Sequence, residues 1–444
     1  ESWNVETAWL RDRDALGRDV LGIDQAPTVV VLGPKNRLDY FEVGANPNIG
    51  ADVALVLERL LVGQNVAEVT LSMYRDSKSH YDRALARAKL EGDGWIAAST
   101  MALPKAAPPK ILQAKSLWRN TEIKEPGNML LVPGKQQQLM VLDGWSSFSL
   151  LDLNGKTNGK VRFDLPKNEG VSMLRAASNG RDRALVAAAS RGGRQAFLFD
   201  FAGKRLAAYP PEPGDLAISD ILVHNIAKGD EPELLVSWQG DGGLHAAGLT
   251  GDHHWTNQAA ANIISIAAAQ APEAVEDRPI VVATGSGTSF LIGQNGRTLR
   301  ELRVGQVVHQ LACWPGPARG FETILHRDDQ LKEAGFANYL GIASSALGGF
   351  VVTGIQHDWN AIWTQPLPPG VFQHQVDFPQ SVTIPRVGPT WIVPGPDGSL
   401  HFLSADGNFR DRMYLGSPIR GLAATSHREQ AIVLVSTSEA VTAI

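Results

Sequence analysis

One thiol and a few histidines and arginines are the side chains of this 444-residue chain whose types and spacing could do chemistry. The thiol, Cys313, lies in VVHQLACW, residues 307–314. That apolar setting predicts a packing thiol on a buried strand, because reactivity needs exposure and a lowered pKa. A single cysteine excludes an intrachain disulfide and any multi-cysteine metal site. His253 and His254 sit together beside Trp255. Adjacent residues on a strand point to opposite faces, so they chelate poorly, and an exposed turn is expected there. Five further basic residues, Arg175, His224, His309, Arg386 and Arg420, fall in or beside short apolar runs. If those runs surround one axis, the five could hold an anionic ligand, or simply water and counterions. No nucleophile with a nearby base, no phosphate loop and no readable acid pair accompanies them. No catalytic residue, metal or cofactor is expected.

The elements that must position these residues are repeated. From Trp118 onward an apolar run, a glycine-bearing turn and a run with polar and aromatic residues recur: SLLDLNGKTNGKVRFDL, FLFDFAGKRLAAYP, HAAGLTGDHHWTN, FLIGQNGRTLRELRV, VVTGIQHDWNAIWTQ and LHFLSADGNFRDRMYL. The turn glycines are Gly155, Gly203, Gly251, Gly296, Gly354 and Gly407, 45 to 58 residues apart. Further β-type runs precede each turn, such as SMLRAAS and ALVAAAS before Gly203. Four short strands per unit at this period predict the blades of a β-propeller. A lone four-stranded meander cannot bury both faces, so such units stack in rings. After the sixth unit, IRGLAAT, QAIVLVS and AVTAI supply three strands. Residues 116–124, SLWRNTEIK, can supply the fourth, removing an exposed edge and clasping the ring. That count is seven blades. Six or eight stay open, because residues 315–336 form an insertion and a long joint runs to Ser381.

Within this frame, Glu231-Pro232-Glu233-Leu234-Leu235-Val236 resembles the strand entry of integrin-like FG-GAP blades, whose preceding loop binds calcium. Such a loop needs oxygen ligands at alternating positions, and here Lys228 stands in its middle. Trp255, Trp359 and Trp363 near predicted fourth strands suggest packing between blades. Quinone-dependent dehydrogenases also have tryptophan-rich blades, but their longer docking repeat is absent.

The net charge of −5 comes with no basic stripe, which argues against nucleic acid as a partner. No apolar run reaches the roughly 18 residues of a membrane helix. The first residues carry no charged-then-apolar leader, as expected of either a mature form or a fragment.

Ahead of the repeats, residues 12–21 show a short helical pattern. Pro27 opens an apolar run over 28–32, the turn Gly33-Pro34-Lys35-Asn36 follows, and a second strand covers 38–43. From Gly50, Val53, Leu57, Leu60 and Leu61 share one helical face, and Gly63 is a stop signal. Helix, strand, turn, strand, helix over residues 1–65 resembles the C-terminal half of a thioredoxin-like redoxin domain. The resemblance implies that Pro27, in Ala26-Pro27-Thr28, is the cis-proline that faces the redox cysteines of that family. X-Pro bonds are where cis peptides occur; a trans proline opening an edge strand is the alternative. No cysteine precedes Pro27 in this sequence, so the cysteine-bearing strand and helix of that family have no counterpart in it, and thiol–disulfide exchange needs an attacking thiolate. Residues 66–115 read as a connector, a solvated helix followed by the proline-rich stretch 103–109.

The expected fold class is therefore mainly β: a propeller of about seven blades over 116–444, behind a partial α/β thioredoxin-like domain. A rigid ring displaying loops on two faces suits a non-catalytic binding or scaffolding role, with a protein or small ligand as partner. The competing expectation is a thiol-disulfide oxidoreductase or peroxiredoxin-like protein whose cysteine half lies upstream or on another chain. Redoxin–propeller fusions resemble extracytoplasmic bacterial proteins, which implies that location.

Overall fold

A computed structural model describes residues 28–33, 37–43, 48–68, 70–72, 112, 114–132, 137–178, 184–226, 231–268, 279–303, 307–314, 339–344, 350–355, 361–368, 372, 379–427 and 430–444. Pro27, Trp359, most of the connector and the 315–336 insertion lie outside them. The described residues form seven separate four-stranded antiparallel sheets, six of them simple meanders of consecutive strands and one completed by a strand from earlier in the chain. Their first strands are Pro126–Val132, Met173–Ser178, Ile218–His224, Ile263–Ala268, Val308–Cys313, Gln380–Ile384 and Gly421–His427. The fold is a seven-bladed β-propeller.

Alternation along each strand makes the blades stack. Leu139, Met140, Val141 and Leu142 are all buried because both faces of their strand meet a neighbouring sheet. Seven apolar clusters fill the seven gaps between blades. Phe148 of the first blade, for example, meets Phe197 and Phe199 of the second through Phe163. Val382, Ile392 and Leu400 of the sixth meet Leu422, Val433 and Val435 of the seventh. The fifth and sixth blades join where Trp314 packs edge-on against Trp391, with centroids 5.0 Å apart.

The circle is closed by pairing a strand that lies ahead of the first blade with the last strand of the seventh. Trp118–Asn120 runs antiparallel to Val441–Ala443, with Trp118 opposite Ala443 and Asn120 opposite Val441. The seventh blade thus takes its outermost strand from ahead of the first, as the 116–124 segment predicts.

A recurring clamp holds one blade to the next. Trp118 covers the turn at Gly155, whose φ of 82° and closeness to the indole leave no room for a side chain. Trp118 Nε1 donates to Leu153 O at 2.8 Å, and Asn120 Nδ2 donates to Gly155 O at 2.9 Å. Trp255 covers Gly296, and Asn257 Nδ2 donates to Gly296 O at 2.6 Å. Trp363 covers Gly407 and donates to Ala405 O at 3.0 Å, while Gln365 reaches Gly407 O at 3.1 Å. A Trp-x-Asn/Gln on one fourth strand thus grips the turn glycine of the following blade. Gly354 corrects the sequence reading. It lies within the strand Phe350–Ile355 rather than in a turn, pressed against Trp363 of its own sheet.

In the N-terminal part, Thr28–Gly33 pairs antiparallel with Arg37–Val43, and a helix spans Ile49–Leu61. Tyr40 and Phe41 are buried, and Thr70 Oγ1 donates to Asp39 O at 2.6 Å. The helix buries no residue fully, and Leu55, Leu57 and Leu61 are exposed.

Candidate functional site

First strands face the axis, and their edges have no ladder partner. The amides along those edges need side chains instead. Asn128 Oδ1 accepts from Leu174 N at 2.8 Å, Asp220 Oδ2 from Ile266 N at 3.1 Å and Ser265 Oγ from Leu311 N at 3.2 Å. Each link joins residues 46 positions apart, one blade apart in space.

The five basic residues proposed for the channel are distributed among different tasks. Arg175 is largely buried: Nε donates to Ile221 O at 3.2 Å, Nη1 to Leu174 O at 2.8 Å, and Nη2 lies 3.3 Å from Asp220 Oδ1. Burial pushes the Asp220 carboxyl up, against the opposing pull of Arg175 and the amides of Ile266 and Ile221. This pair joins the second and third blades. His309 sits at a register shift near the start of the fifth blade's first strand. Burial, then the positive charge of Arg191, lower its pKa. Arg420 precedes the seventh blade's first strand, and its amide donates to Ser436 O at 2.8 Å. His224 ends the third blade's first strand. Arg386 occupies the turn after the sixth blade's first strand, with φ of 66°. In a meander, strand starts and strand ends define opposite faces. Arg175, His309 and Arg420 therefore belong nearer one mouth, and His224 and Arg386 nearer the other.

Arg191, which the sequence did not single out, reaches past the neighbouring blade to the one beyond. From the second blade its Nε donates to Ser219 O and its Nη2 to Ile264 O, both at 3.1 Å. It ties the second blade to the third and fourth. The guanidinium groups of Arg175 and Arg191 are directed at backbone carbonyls and, for Arg175, a buried carboxylate.

Cys313 ends the fifth blade's first strand and packs against Val308, Leu311 and Tyr339. The residue is partly exposed, but burial raises its thiol pKa well above the ordinary range. At pH 8 it should stay unmodified by Ellman's reagent in the folded protein and react fully in guanidinium chloride. Rapid stoichiometric labelling of the native chain would contradict this placement.

The outer rim between the first two blades holds an open cleft of about 660 Å³, lined by Ser146, residues 162–169 and residues 202–204. Its floor includes Phe163, 3% exposed, locked between Phe148 and Phe199 at 4.9 and 4.6 Å. Its walls are fixed by backbone bonds: Phe163 N to Ser146 O at 2.9 Å and Asp164 N to Gly203 O at 2.8 Å. Arg162, Lys167 and Lys204 stand beside Asp164 and Glu169 along it. Next to Ser146, Trp145 is 65% exposed, although its carbonyl is anchored by Val171 N at 2.8 Å. Among the described residues, no group of three or more His, Cys, Asp or Glu is placed to hold a metal ion, and no helix is long and apolar enough to cross a membrane.

No protein-family model and no curated protein matches this sequence. Solved structures do match. BBS1N, crystallised in complex with ARL6DN and soaked with lead, is 14% identical with a TM-score of 0.53, covering 74% of this chain and 97% of that one. The mercury-soaked form of the same complex gives 13% identity and a TM-score of 0.53, with the same coverage. Raptor from Chaetomium thermophilum is 12% identical with a TM-score of 0.53; the match covers 74% of this chain and 28% of Raptor. At such identities the likeness shows a shared fold: this chain carries a β-propeller of the kind those proteins contain.

Proposed function

We infer that the protein is a docking platform, with a protein partner seated at the rim cleft between the first two blades. The observation that carries this reading is Trp145. A side chain of that size costs free energy when left in water, and tryptophan is among the residues most enriched where interfaces concentrate their binding energy. Its loop is short and bonded to the next joint, so little order is lost on binding. Arginine and lysine alternating with acids around an aromatic floor suit a protein surface. The BBS1N neighbour was crystallised with a protein partner, which fits such a use of the ring.

The test is site-specific crosslinking in the native host. A photoreactive residue at position 167 should capture a defined partner, and Trp145→Ala should abolish that capture. The same probe at position 386, in an exposed turn between the first two strands of the sixth blade, should not capture it. Equal capture from both positions, or capture indifferent to Trp145, would overturn the assignment.

A second reading rests on the N-terminal part. A hairpin followed by a helix with exposed leucines is the arrangement expected of half a redoxin domain, and a two-stranded hairpin alone is marginal in water. On this reading a cysteine-bearing half completes the fold, Pro27 faces it, and the protein works outside the cytoplasm as a thiol-disulfide oxidoreductase. Reduction of insulin disulfides by the natural full-length protein supports that reading; absence of turnover removes it.

A further inference from the structure

Two histidines from the third blade converge on one tyrosine of the second. Tyr209 ends the strand Arg205–Tyr209, His245 lies on Leu244–Ala247 and His253 opens His253–Asn257. Tyr209 Oη is 2.8 Å from His245 Nδ1 and 2.8 Å from His253 Nδ1. We propose that Tyr209, His245 and His253 form a binding site for a divalent first-row transition-metal ion, held by the two Nδ1 atoms with the phenol oxygen as third donor.

Three features carry the proposal. The first is spacing. Tyr209 Oη is hydrogen-bonded to both Nδ1 atoms at 2.8 Å, which is also the separation of two donors held at right angles about 2.0 Å from one ion, so the three atoms already converge at coordination spacing. The second is the outer shell. Ligating histidines almost always donate their other ring N–H to a fixed acceptor. His245 Nε2 faces Gly242 O at 3.1 Å, which leaves the lone pair on Nδ1; His253 Nε2 faces Thr256 Oγ1 at 3.3 Å. The third is rigidity with access. His245 is half-buried and packs edge-on to Trp238 at 5.6 Å, while His253 stacks on Tyr209 at 6.1 Å and is exposed, giving an ion a route from solvent.

His254 takes no part. It turns the other way, with Nδ1 2.5 Å from Glu233 Oε1 and Nε2 2.9 Å from Asp252 Oδ2. Ligands here come from two strands and the neighbouring blade, not from the adjacent pair visible in the sequence. The imidazole nitrogens are the primary ligands, with the phenol oxygen as the weaker third donor. Imidazole donors suit Cu(II), Ni(II) and Zn(II), and the Irving–Williams order ranks Cu(II) tightest.

The experiment is titration of the full chain with Cu(II), Ni(II) and Zn(II) salts, read by calorimetry, quenching of tryptophan fluorescence and Cu(II) electron paramagnetic resonance. One equivalent of Cu(II) should bind with a spectrum showing two coordinated nitrogens. His253→Gln, at an exposed position, and His245→Ala should each weaken binding by at least about tenfold. Tyr209→Phe should weaken it less, and His254→Ala should leave it unchanged. If His245→Ala fails to fold, His253→Gln against His254→Ala remains decisive. Cu(II) affinity that is equal in the wild type and His253→Gln, or that depends on His254 instead, overturns the site.

Discussion

Removal of residues 441–444 is expected to open the ring. Val441 and Ala443 are fully buried and Ile444 is 8% exposed, so the cut removes apolar contacts on both sides of the seventh blade. Each large buried aliphatic side chain deleted from a core costs about 2–5 kcal/mol, and a domain has only about 5–15 kcal/mol to lose. The backbone consequence is larger still. Trp118–Asn120 loses its only strand partner among the described residues, and the donors and acceptors of Gln430–Ser436 that faced Val441–Ala443 are left on a new edge. An exposed edge invites pairing with another chain. The truncated protein should therefore lose its cooperative thermal transition and elute as larger species in gel filtration. Hydrogen exchange should rise first in the first and seventh blades. A truncated chain that stays monomeric with an unchanged transition would mean that stacking, not the clasp, closes the circle.

The second large effect is expected at Trp391. It is fully buried and shares a cluster with Trp314, Leu340 and Ile342 across the boundary between the fifth and sixth blades, beside Leu403 of its own sheet. Replacing it by alanine should cost about 3–5 kcal/mol, the range for deleting a large aromatic side chain from a core. Its Nε1–H has no hydrogen-bond partner among the described residues. An unmet buried donor itself costs about 1–3 kcal/mol, so Trp391→Phe loses packing but also removes that penalty. Chemical denaturation should rank the variants wild type, then Phe, then Ala. A phenylalanine variant as unstable as alanine would show that the indole's full shape, rather than ring burial, closes this boundary.

Much of the architecture was legible because its signals are local. Turn glycines at Gly155 and Gly407, apolar runs such as residues 139–142, and their period are written within a few residues of one another. Even the ring closure could be read, since three strands at the end of the chain left a fourth to be found at residues 116–124. The same local logic misassigned Gly354, because a glycine beside a polar stretch looks like a turn whether or not a cross-strand indole occupies its space. Arg175 was expected at the channel because first-strand residues face the axis, but which carbonyl and carboxylate it meets depends on how the neighbouring blade is placed.

By itself, then, the amino-acid order determined the repeat, the number of strands in it and the strand that completes the last blade, because strand alternation and turn chemistry act over two to four residues. The tertiary structure alone decided which side chains meet across a blade boundary. Trp118 and Gly155, Arg191 and Ile264, and Tyr209 with His245 and His253 are 36 to 73 positions apart in sequence. Their encounter is set by the twist and register of stacked sheets, a geometry that no short window of sequence contains.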